Sequence, residues 1–253
     1  MAIPPALLFS LVLLGSDPSS LLVATSSQGW MSEVPPALVE AVRLTVQQPT
    51  LQVSTRSMTF PGQLLLYESL LRRPDAVARL WHAEGYTDTK VTRNADGWFS
   101  ATDQAGSTGR WFYVYRGKTL TVAYGEGTAA LAGGLPVPFR TVVLWHYLDG
   151  TVAGRPTITH WATAYFRLLN PNQHLILSTL RPVAEPIARR KLLEAMLSLS
   201  IPVRMAALRP KEFMHWTDRA GIRLMGFPEF SRSTHPLAGT QPAAQAVERN
   251  ASP

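Results

Sequence analysis

The sequence contains no cysteine among its 253 residues. This absence excludes disulfide bridges, zinc–thiolate sites, iron–sulfur clusters, cysteine nucleophiles and a bacterial lipoprotein anchor. Charged residues are also scarce, at 16% of the chain, against about a quarter in an average globular domain. Hydrophobic residues make up 46%, which is enough for a sizeable core. The length and composition together predict one principal folded domain.

Acidic residues are the scarcer of the two charge types. The formal net charge is +7 and the pI is about 10.0, a balance that would suit an anionic partner if the charges were clustered. The densest basic group, Arg189 to Lys191, is flanked by Glu185 and Glu194. This pattern is typical of a solvated helix face, so we predict no nucleic-acid partner.

The chain also lacks the short motifs that carry common chemistries. No pair of carboxylates is spaced as in a glycosidase, and no G-x-S-x-G nucleophile elbow is present. The glycines at Gly125-Glu126-Gly127 and Gly133-Gly134 do not open a helix after a strand, so they do not predict a phosphate loop. We expect neither a cofactor nor a metal, and we favour a protein that is not an enzyme.

An apolar segment stands near the beginning of the chain. Residues 2–14 are almost wholly apolar, which is shorter than the roughly 20 residues of a transmembrane helix and matches the core of a signal peptide. No Lys or Arg precedes it, and Ala24-Thr25-Ser26 is the best cleavage site. We predict a signal peptide over 1–26 and an exported protein, periplasmic or secreted. A buried N-terminal helix, in a cytoplasmic or membrane-associated protein, is the alternative.

The remaining pattern predicts a mixed domain. Residues 27–50 are predicted as a linker and an extra helix, 51–217 as an α+β globular domain, and 218–253 as a mostly disordered tail. Apolar residues at helical spacing, with Pro near each start, indicate three early helices. These helices cover residues 35–47, 63–72 and 74–83.

Period-two alternation and turn residues indicate the strands. A Gly/Pro-rich stretch at 125–138 is predicted as a loop, and the last two strands form a hairpin centred near Ala153. The predicted strands are 51–60, 87–92, 97–102, 109–116, 118–125, 139–148 and 157–167.

Helical periodicity returns after the last strand. One helix is predicted from residue 170 to about 180, and a longer one from 185 to 199. Pro182 is expected to interrupt the helix, and Pro202 to kink or end it. Residues 203–217 continue with a helical pattern.

The order of these elements resembles the helix-grip fold of the START and polyketide-cyclase-like superfamily. From residue 51 to about 200 the order is strand, two short helices, six strands and a long helix. The resemblance implies a curved antiparallel sheet of six to seven strands wrapped on a long C-terminal helix, with an apolar cavity between them. The helix at 35–47 and the break at Pro182 depart from that pattern. The NTF2-like cone is the rival, although its helices usually precede most of the sheet.

Two histidines lie on the predicted terminal hairpin. His146 alternates in phase with Leu144 and Leu148, and His160 with Phe166, so both are expected on the more apolar face of the sheet. With the hairpin centred near Ala153, the two histidines become cross-strand neighbours. Such a pair could bind a metal, act as a general base or orient a ligand. The alternative is two ordinary core or surface histidines, since no carboxylate partner stands at useful spacing.

Aromatic residues concentrate in another predicted strand. Trp111, Tyr113 and Tyr115 share one face, and such a stripe suits either a ligand cavity or ordinary sheet packing. Taken together, the candidate cavity residues are His146, His160, Leu144, Phe166, Trp111, Tyr113 and Tyr115.

These features lead to three hypotheses. The first is an exported, non-enzymatic protein that binds an apolar small molecule or lipid between the sheet and the C-terminal helix. The second is a cyclase- or hydratase-like enzyme of the same fold, with His146 or His160 as general base. The third is a cell-envelope interaction protein with a filled core and no ligand. Peripheral membrane contact and the oligomeric state are left open.

Overall fold

In a computed structural model of the protein, residues 29–102, 106–130, 136–169 and 172–223 are described. The chain divides into two compact units, Met1–Ile222 and Arg223–Pro253. Only Arg223 of the second unit is described. The predicted signal peptide over 1–26 lies outside the described residues, and so does the predicted tail from residue 224 onward.

The predicted α+β class is confirmed. Eight strands form one curved, unclosed, antiparallel sheet in the order β1-β8-β7-β6-β5-β4-β3, and β2 also pairs with β8. The strands are β1 (Leu51–Ser54), β2 (Met58–Pro61), β3 (Lys90–Arg93), β4 (Phe99–Thr102), β5 (Thr108–Arg116), β6 (Leu120–Ala130), β7 (Pro136–Val152) and β8 (Arg155–Leu168).

Five α-helices accompany the sheet among the described residues. They are α1 (Pro36–Gln47), α2 (Leu64–Leu71), α3 (Pro74–Ala83), α4 (Asn172–Leu208) and α5 (Pro210–Arg219). Prolines occupy the first turns of α1, α3 and α5. Proline is tolerated there because the first backbone N–H groups of a helix make no intrahelical hydrogen bond. The three early helices match the predicted ones closely.

Two predicted boundaries in the sheet are wrong. The strand expected over 51–60 is divided into β1 and β2 by one extra residue, since Met58 lies four positions after Ser54 while their partners on β8 are three positions apart. At the break, the hydroxyl oxygen of Thr55 accepts the backbone N–H of Ala162 at 3.0 Å. The loop expected over 125–138 is mostly strand, since β6 extends to Ala130 and β7 begins at Pro136.

The predicted interruption of the C-terminal helix at Pro182 is also wrong, and the helix does not end at Pro202. Helix α4 continues through Pro182, Pro186 and Pro202. Its buried positions include Leu192 and Met196, which pack against the apolar residues of β1 and β8. Tertiary packing of this apolar face therefore outweighs the local penalty of proline in a helix.

The two faces of the sheet are covered by different helices. Helix α4 packs on one face, which we call the α4 face, and α1 packs on the opposite one, the α1 face. On the α1 face Trp30 and Val34 are buried together with strand residues such as Val122 and Val142. The segment that was predicted as a linker thus contributes two side chains, Trp30 and Val34, to the core.

The C-terminal end of the described chain is also packed. Helix α5 ends at Arg219, and the Ile222 side chain beyond it is 5% exposed. Phe213 and Trp216 of α5 are buried, and the Trp216 indole N–H donates to the carbonyl of Leu80 at 2.6 Å. The folded unit therefore extends a few residues beyond the predicted boundary at 217.

Candidate functional site

A large cavity lies between the α4 face of the sheet and the helices that cover it. Its volume is about 1100 Å³. Strands β5, β6 and β7 supply one wall, and α2, α3 and α4 supply the other. Most of the lining side chains are aliphatic or aromatic. They include Leu71, Val77, Trp81, Val91, Trp111, Tyr113, Ala123, Val143, Trp145, Leu193, Leu197 and Ile201.

Charged residues line the cavity only where side chains are also exposed to solvent. Glu194 pairs with Arg190 at 2.9 Å and with Lys191 at 3.3 Å. Arg110 and Glu126 also border the cavity, but their side chains pair on the α1 face, where the Arg110 guanidinium lies over the Trp98 ring. We call Arg190, Lys191, Glu194 and residues 86–89 the rim. The Arg190 and Lys191 side chains are 70% and 69% exposed, so these ion pairs contribute little to stability.

Behind the cavity wall lies a buried hydrogen-bonded chain of three side chains. The Trp145 indole N–H donates to the Tyr67 hydroxyl oxygen at 2.7 Å, and that hydroxyl lies 2.9 Å from Nδ1 of His160. Because Trp can only donate, the Tyr67 oxygen is an acceptor there, and its own hydrogen is available for Nδ1. His160 is therefore assigned as the neutral form that carries its hydrogen on Nε2.

Burial determines the ionisation of this chain. Tyr67 and His160 are both 0% exposed. Burial lowers the pKa of His160 to about 3 and raises the pKa of Tyr67 far above its usual value. Nε2 of His160 has no hydrogen-bond partner among the described residues. The chain thus stays neutral at ordinary pH and does not reach the cavity except through Trp145.

The structure corrects the predicted histidine pair. His146 stands opposite Trp161 in the β7–β8 ladder, and His160 stands opposite Tyr147. The hairpin turns on two residues, Ala153 and Gly154, so its centre lies half a residue beyond the predicted one. Because side chains alternate, this small shift places the two histidines on opposite faces of the sheet.

The separated histidines have different environments. His146 lies on the α1 face, where its ring stacks on Trp161 with centroids 5.0 Å apart and 3° between the planes. Burial lowers the pKa of His146. Neither His146 nor His160 lines the cavity.

The aromatic stripe of β5 is also divided between the two faces. Trp111 and Tyr113 line the cavity as predicted. A bulge between Tyr113 and Tyr115 shifts the register, so that Tyr115 stands opposite Val122 and packs on the α1 face. An extra residue in one strand has this effect because it reverses the alternation of side chains beyond it.

The other two candidates do not line the cavity. Leu144 is buried in the α1-face cluster. Phe166 lies on the α4 face, but it packs against the cluster that contains Leu51 and Met196. Of the seven predicted residues, the structure therefore brings Trp111 and Tyr113 together at the cavity.

Sequence reasoning missed several wall residues. Trp145 and Val143 alternate out of phase with Leu144, and the choice of the more apolar phase assigned the wrong set to the cavity. Trp81 was recognisable as part of an apolar helix stripe, but helical spacing does not show whether a stripe faces a cavity or a filled core.

The part of the chain that the structure describes contains no cluster of metal ligands and no helix suited to cross a membrane. No cluster of three or more His, Asp or Glu side chains there is arranged to hold a metal ion. No helix among the same residues combines the length and apolarity needed to cross a membrane.

Comparisons with known proteins leave the family open. No protein-family model matches the chain, and no curated protein matches it. Among solved structures, the chain is similar to a conserved protein from Geobacillus kaustophilus, with 10% identity and a TM-score of 0.35 over 73% of this chain and 98% of that one. A likeness at this level carries no inference about function.

Proposed function

We propose that this protein binds a lipid or another apolar small molecule in the cavity between its sheet and α4, and that it does so without catalysis. The observation that carries the proposal is the cavity itself, of about 1100 Å³ and lined mainly by aliphatic and aromatic side chains. Ligand pockets commonly measure about 300–1,000 Å³ and are mostly apolar. A cavity of this size and composition favours a large apolar ligand.

The cavity also bears on the hypothesis of an interaction protein with a filled core. Well-packed domains have few voids larger than a water molecule, so a space of this volume is not expected from packing alone. The cavity therefore disfavours the filled-core hypothesis, whereas the ligand-binding hypothesis accounts for it.

The geometry does not support an enzyme that uses His146 or His160 as a general base. A general base must come within hydrogen-bond reach of the substrate proton. His146 lies on the other face of the sheet, and His160 is separated from the cavity by Tyr67 and Trp145. The burial that lowers the pKa of His160 to about 3 also makes it a weak base.

The features on which we base the helix-grip part of the proposal are the long C-terminal helix across a curved sheet and the cavity between them. We include that family, and export of the mature chain, in the proposal. N-terminal sequencing of the protein recovered from its native cell tests the export component. A mature chain that begins near residue 27 supports export, and an intact N-terminus in the cytoplasmic fraction contradicts it.

Ligand binding is tested with N-phenyl-1-naphthylamine, an uncharged apolar fluorophore, titrated into the full chain. Ala123→Phe fills the cavity from β6. Thr128→Phe is the matched control, because Thr128 lies on the same strand with its side chain on the opposite face. We expect saturable binding to the wild type and to Thr128→Phe, and binding at least about tenfold weaker to Ala123→Phe, whose added ring occupies ligand space.

The same purified protein is extracted with organic solvent and the extract is analysed by mass spectrometry. A co-purified lipid supports the proposal and identifies the ligand class. Absence of saturable fluorophore binding, or equal binding by both variants with unchanged melting temperatures, rejects a ligand site in this cavity.

A further inference from the structure

Four aromatic side chains of the cavity wall have protein partners for their polar groups, namely Trp81, Trp111, Tyr113 and Trp145. The Trp145 indole N–H donates to Tyr67, as described above. The Trp81 indole N–H donates to the carbonyl of Ser198 at 2.9 Å, and the Tyr113 hydroxyl donates to the carbonyl of Leu71 at 2.6 Å. The Trp111 side chain is in turn a hydrogen-bond partner of Tyr113. Each of these aromatic donors therefore already has a protein acceptor.

Inside the rim, the aliphatic hydroxyls of the wall are bonded or shielded in the same way. The Ser198 hydroxyl donates to the carbonyl of Ala195 at 2.7 Å. The Thr121 hydroxyl is a hydrogen-bond partner of Tyr147. The Thr141 hydroxyl oxygen has no partner among the described residues, but it has almost no accessible surface, so a ligand in the cavity does not reach it.

The Tyr113 side chain also stays uncharged. Burial raises the pKa of Tyr113 to about 12, so its phenol keeps its hydrogen and its bond to Leu71 across the physiological range. Apart from Arg110 and Glu126, whose side chains pair on the α1 face, charged side chains line the cavity only at the rim. The cavity is thus divided into an inner wall that presents carbon and a rim that presents ions.

We propose that the inner wall selects an unsubstituted hydrocarbon chain and that the polar end of the ligand lies at the rim. This inference rests on the proposed function and names its ligand class, an amphipathic lipid with a plain alkyl or alkenyl chain. A ligand that carries carbonyls or hydroxyls along its buried part, as a polyketide does, finds no free and accessible hydrogen-bond donor on this wall. Its polar atoms lose their hydrogen bonds to water without replacement, which makes binding unfavourable.

Oleate and ricinoleate form a matched pair of probes, because ricinoleate is oleate with one hydroxyl in mid-chain. Each is used below its aggregation concentration to displace N-phenyl-1-naphthylamine from the full chain. We expect ricinoleate to bind at least about tenfold more weakly than oleate, since its hydroxyl is buried without a partner. Oleyl alcohol shares the chain and changes the head group, so it shows whether the discrimination depends on the chain alone.

Val143→Thr adds a hydroxyl to the inner wall while nearly keeping the side-chain shape, and Val143→Ala is the control that removes volume without adding a hydroxyl. We expect Val143→Thr to reduce the preference for oleate over ricinoleate by about threefold or more, through a new hydrogen bond, and Val143→Ala to leave that ratio unchanged. Equal affinities of wild type for oleate and ricinoleate, with the fluorophore still bound, overturn this inference alone. Absence of fluorophore and fatty-acid binding overturns the proposed function with it.

Discussion

The Tyr67 hydroxyl lies 2.9 Å from Nδ1 of His160, although the two residues are 93 positions apart in the chain. Tyr67 comes from α2 and His160 from the middle of β8, and neither side chain has exposed surface. The pair links the first half of the domain to the terminal hairpin. Through Tyr67 it also holds the Trp145 indole in the cavity wall.

Tyr67→Phe tests the contribution of this pair to stability. The substitution keeps the ring but leaves the Trp145 N–H and Nδ1 of His160 buried without partners. We expect a loss of about 2–4 kcal/mol in the free energy of unfolding, since each unsatisfied buried group costs about 1–3 kcal/mol. Urea denaturation of the two proteins measures the difference.

Tyr86→Phe is the control for that experiment. The Tyr86 side chain is 40% exposed, and surface substitutions away from special features change stability by less than about 0.5 kcal/mol. If Tyr67→Phe is no less stable than Tyr86→Phe, the buried chain of hydrogen bonds does not hold the fold as described.

The buried His160 predicts acid sensitivity. Its pKa is about 3 in the folded protein because burial disfavours the charged ring, whereas an unfolded histidine has a pKa of about 6.5. Between these values the unfolded state binds more protons than the folded one. The stabilisation is complete above about pH 6.5 and is lost as the pH falls toward 3, by an amount on the order of 4 kcal/mol.

Comparison with His160→Gln isolates this contribution from that of other titrating groups. The difference in the free energy of unfolding between wild type and His160→Gln should shift in favour of the variant as the pH falls from 6.5 to 4. The exposed His215 provides the control substitution His215→Gln. Parallel pH profiles for wild type and His160→Gln would mean that His160 is not buried in the folded state.

The β7–β8 turn sets the register that separates the two histidines. Ala153 has φ of 49° and Gly154 has φ of 75°, and positive φ at both positions is what a type I′ turn requires. Ala153→Asn should raise the melting temperature, with a gain of about 0.5–1 kcal/mol, because Asn tolerates this conformation better than Ala. Gly154→Ala should lower stability by about 1–2 kcal/mol.

Gly29→Ala is the matched control for the turn. Gly29 has φ of −68°, and an added Cβ there meets nothing within 4 Å. Its substitution should be neutral or slightly stabilising. Equal effects of Gly154→Ala and Gly29→Ala would contradict the two-residue turn and the register that follows from it.

Prolines in α4 and α5 should respond differently to substitution by alanine. Pro186 lies inside α4 and is exposed, so Pro186→Ala restores a backbone hydrogen bond and removes a ring clash. We expect a gain of about 1–2 kcal/mol, less than the full penalty of an interior proline because the unfolded chain also becomes freer. Pro210 begins α5, so Pro210→Ala should give no gain. A loss of stability in Pro186→Ala would show that α4 is not continuous there.

Local patterns were sufficient for most of the elements. Helix α3 occupies Pro74–Ala83 as expected, because a proline start and an apolar stripe are local signals. The strands were found by alternation, and the hairpin was located by Gly154 and its neighbours. The α+β class follows from this order of elements.

The candidate site was less accessible to sequence reasoning, and the reasons are geometric. A difference of half a residue in the centre of one hairpin moved His160 and His146 to opposite faces. One bulged residue in β5 moved Tyr115 away from Tyr113. Neither offset changes the composition or periodicity of the strand concerned, so alternation alone does not reveal it.

The amino-acid sequence by itself determined the α+β class, the order of the elements and the apolar character of both sheet faces, because these depend on residue type and short-range spacing. Tertiary structure alone decided that α4 continues through its prolines, which face of the sheet holds each aromatic side chain, and where Tyr67 meets His160. Those features depend on packing and hydrogen bonds between residues far apart in the chain. The cavity is also a feature that only the tertiary structure decided. Its volume depends on how the sheet and the helices pack together, and no single strand or helix determines it.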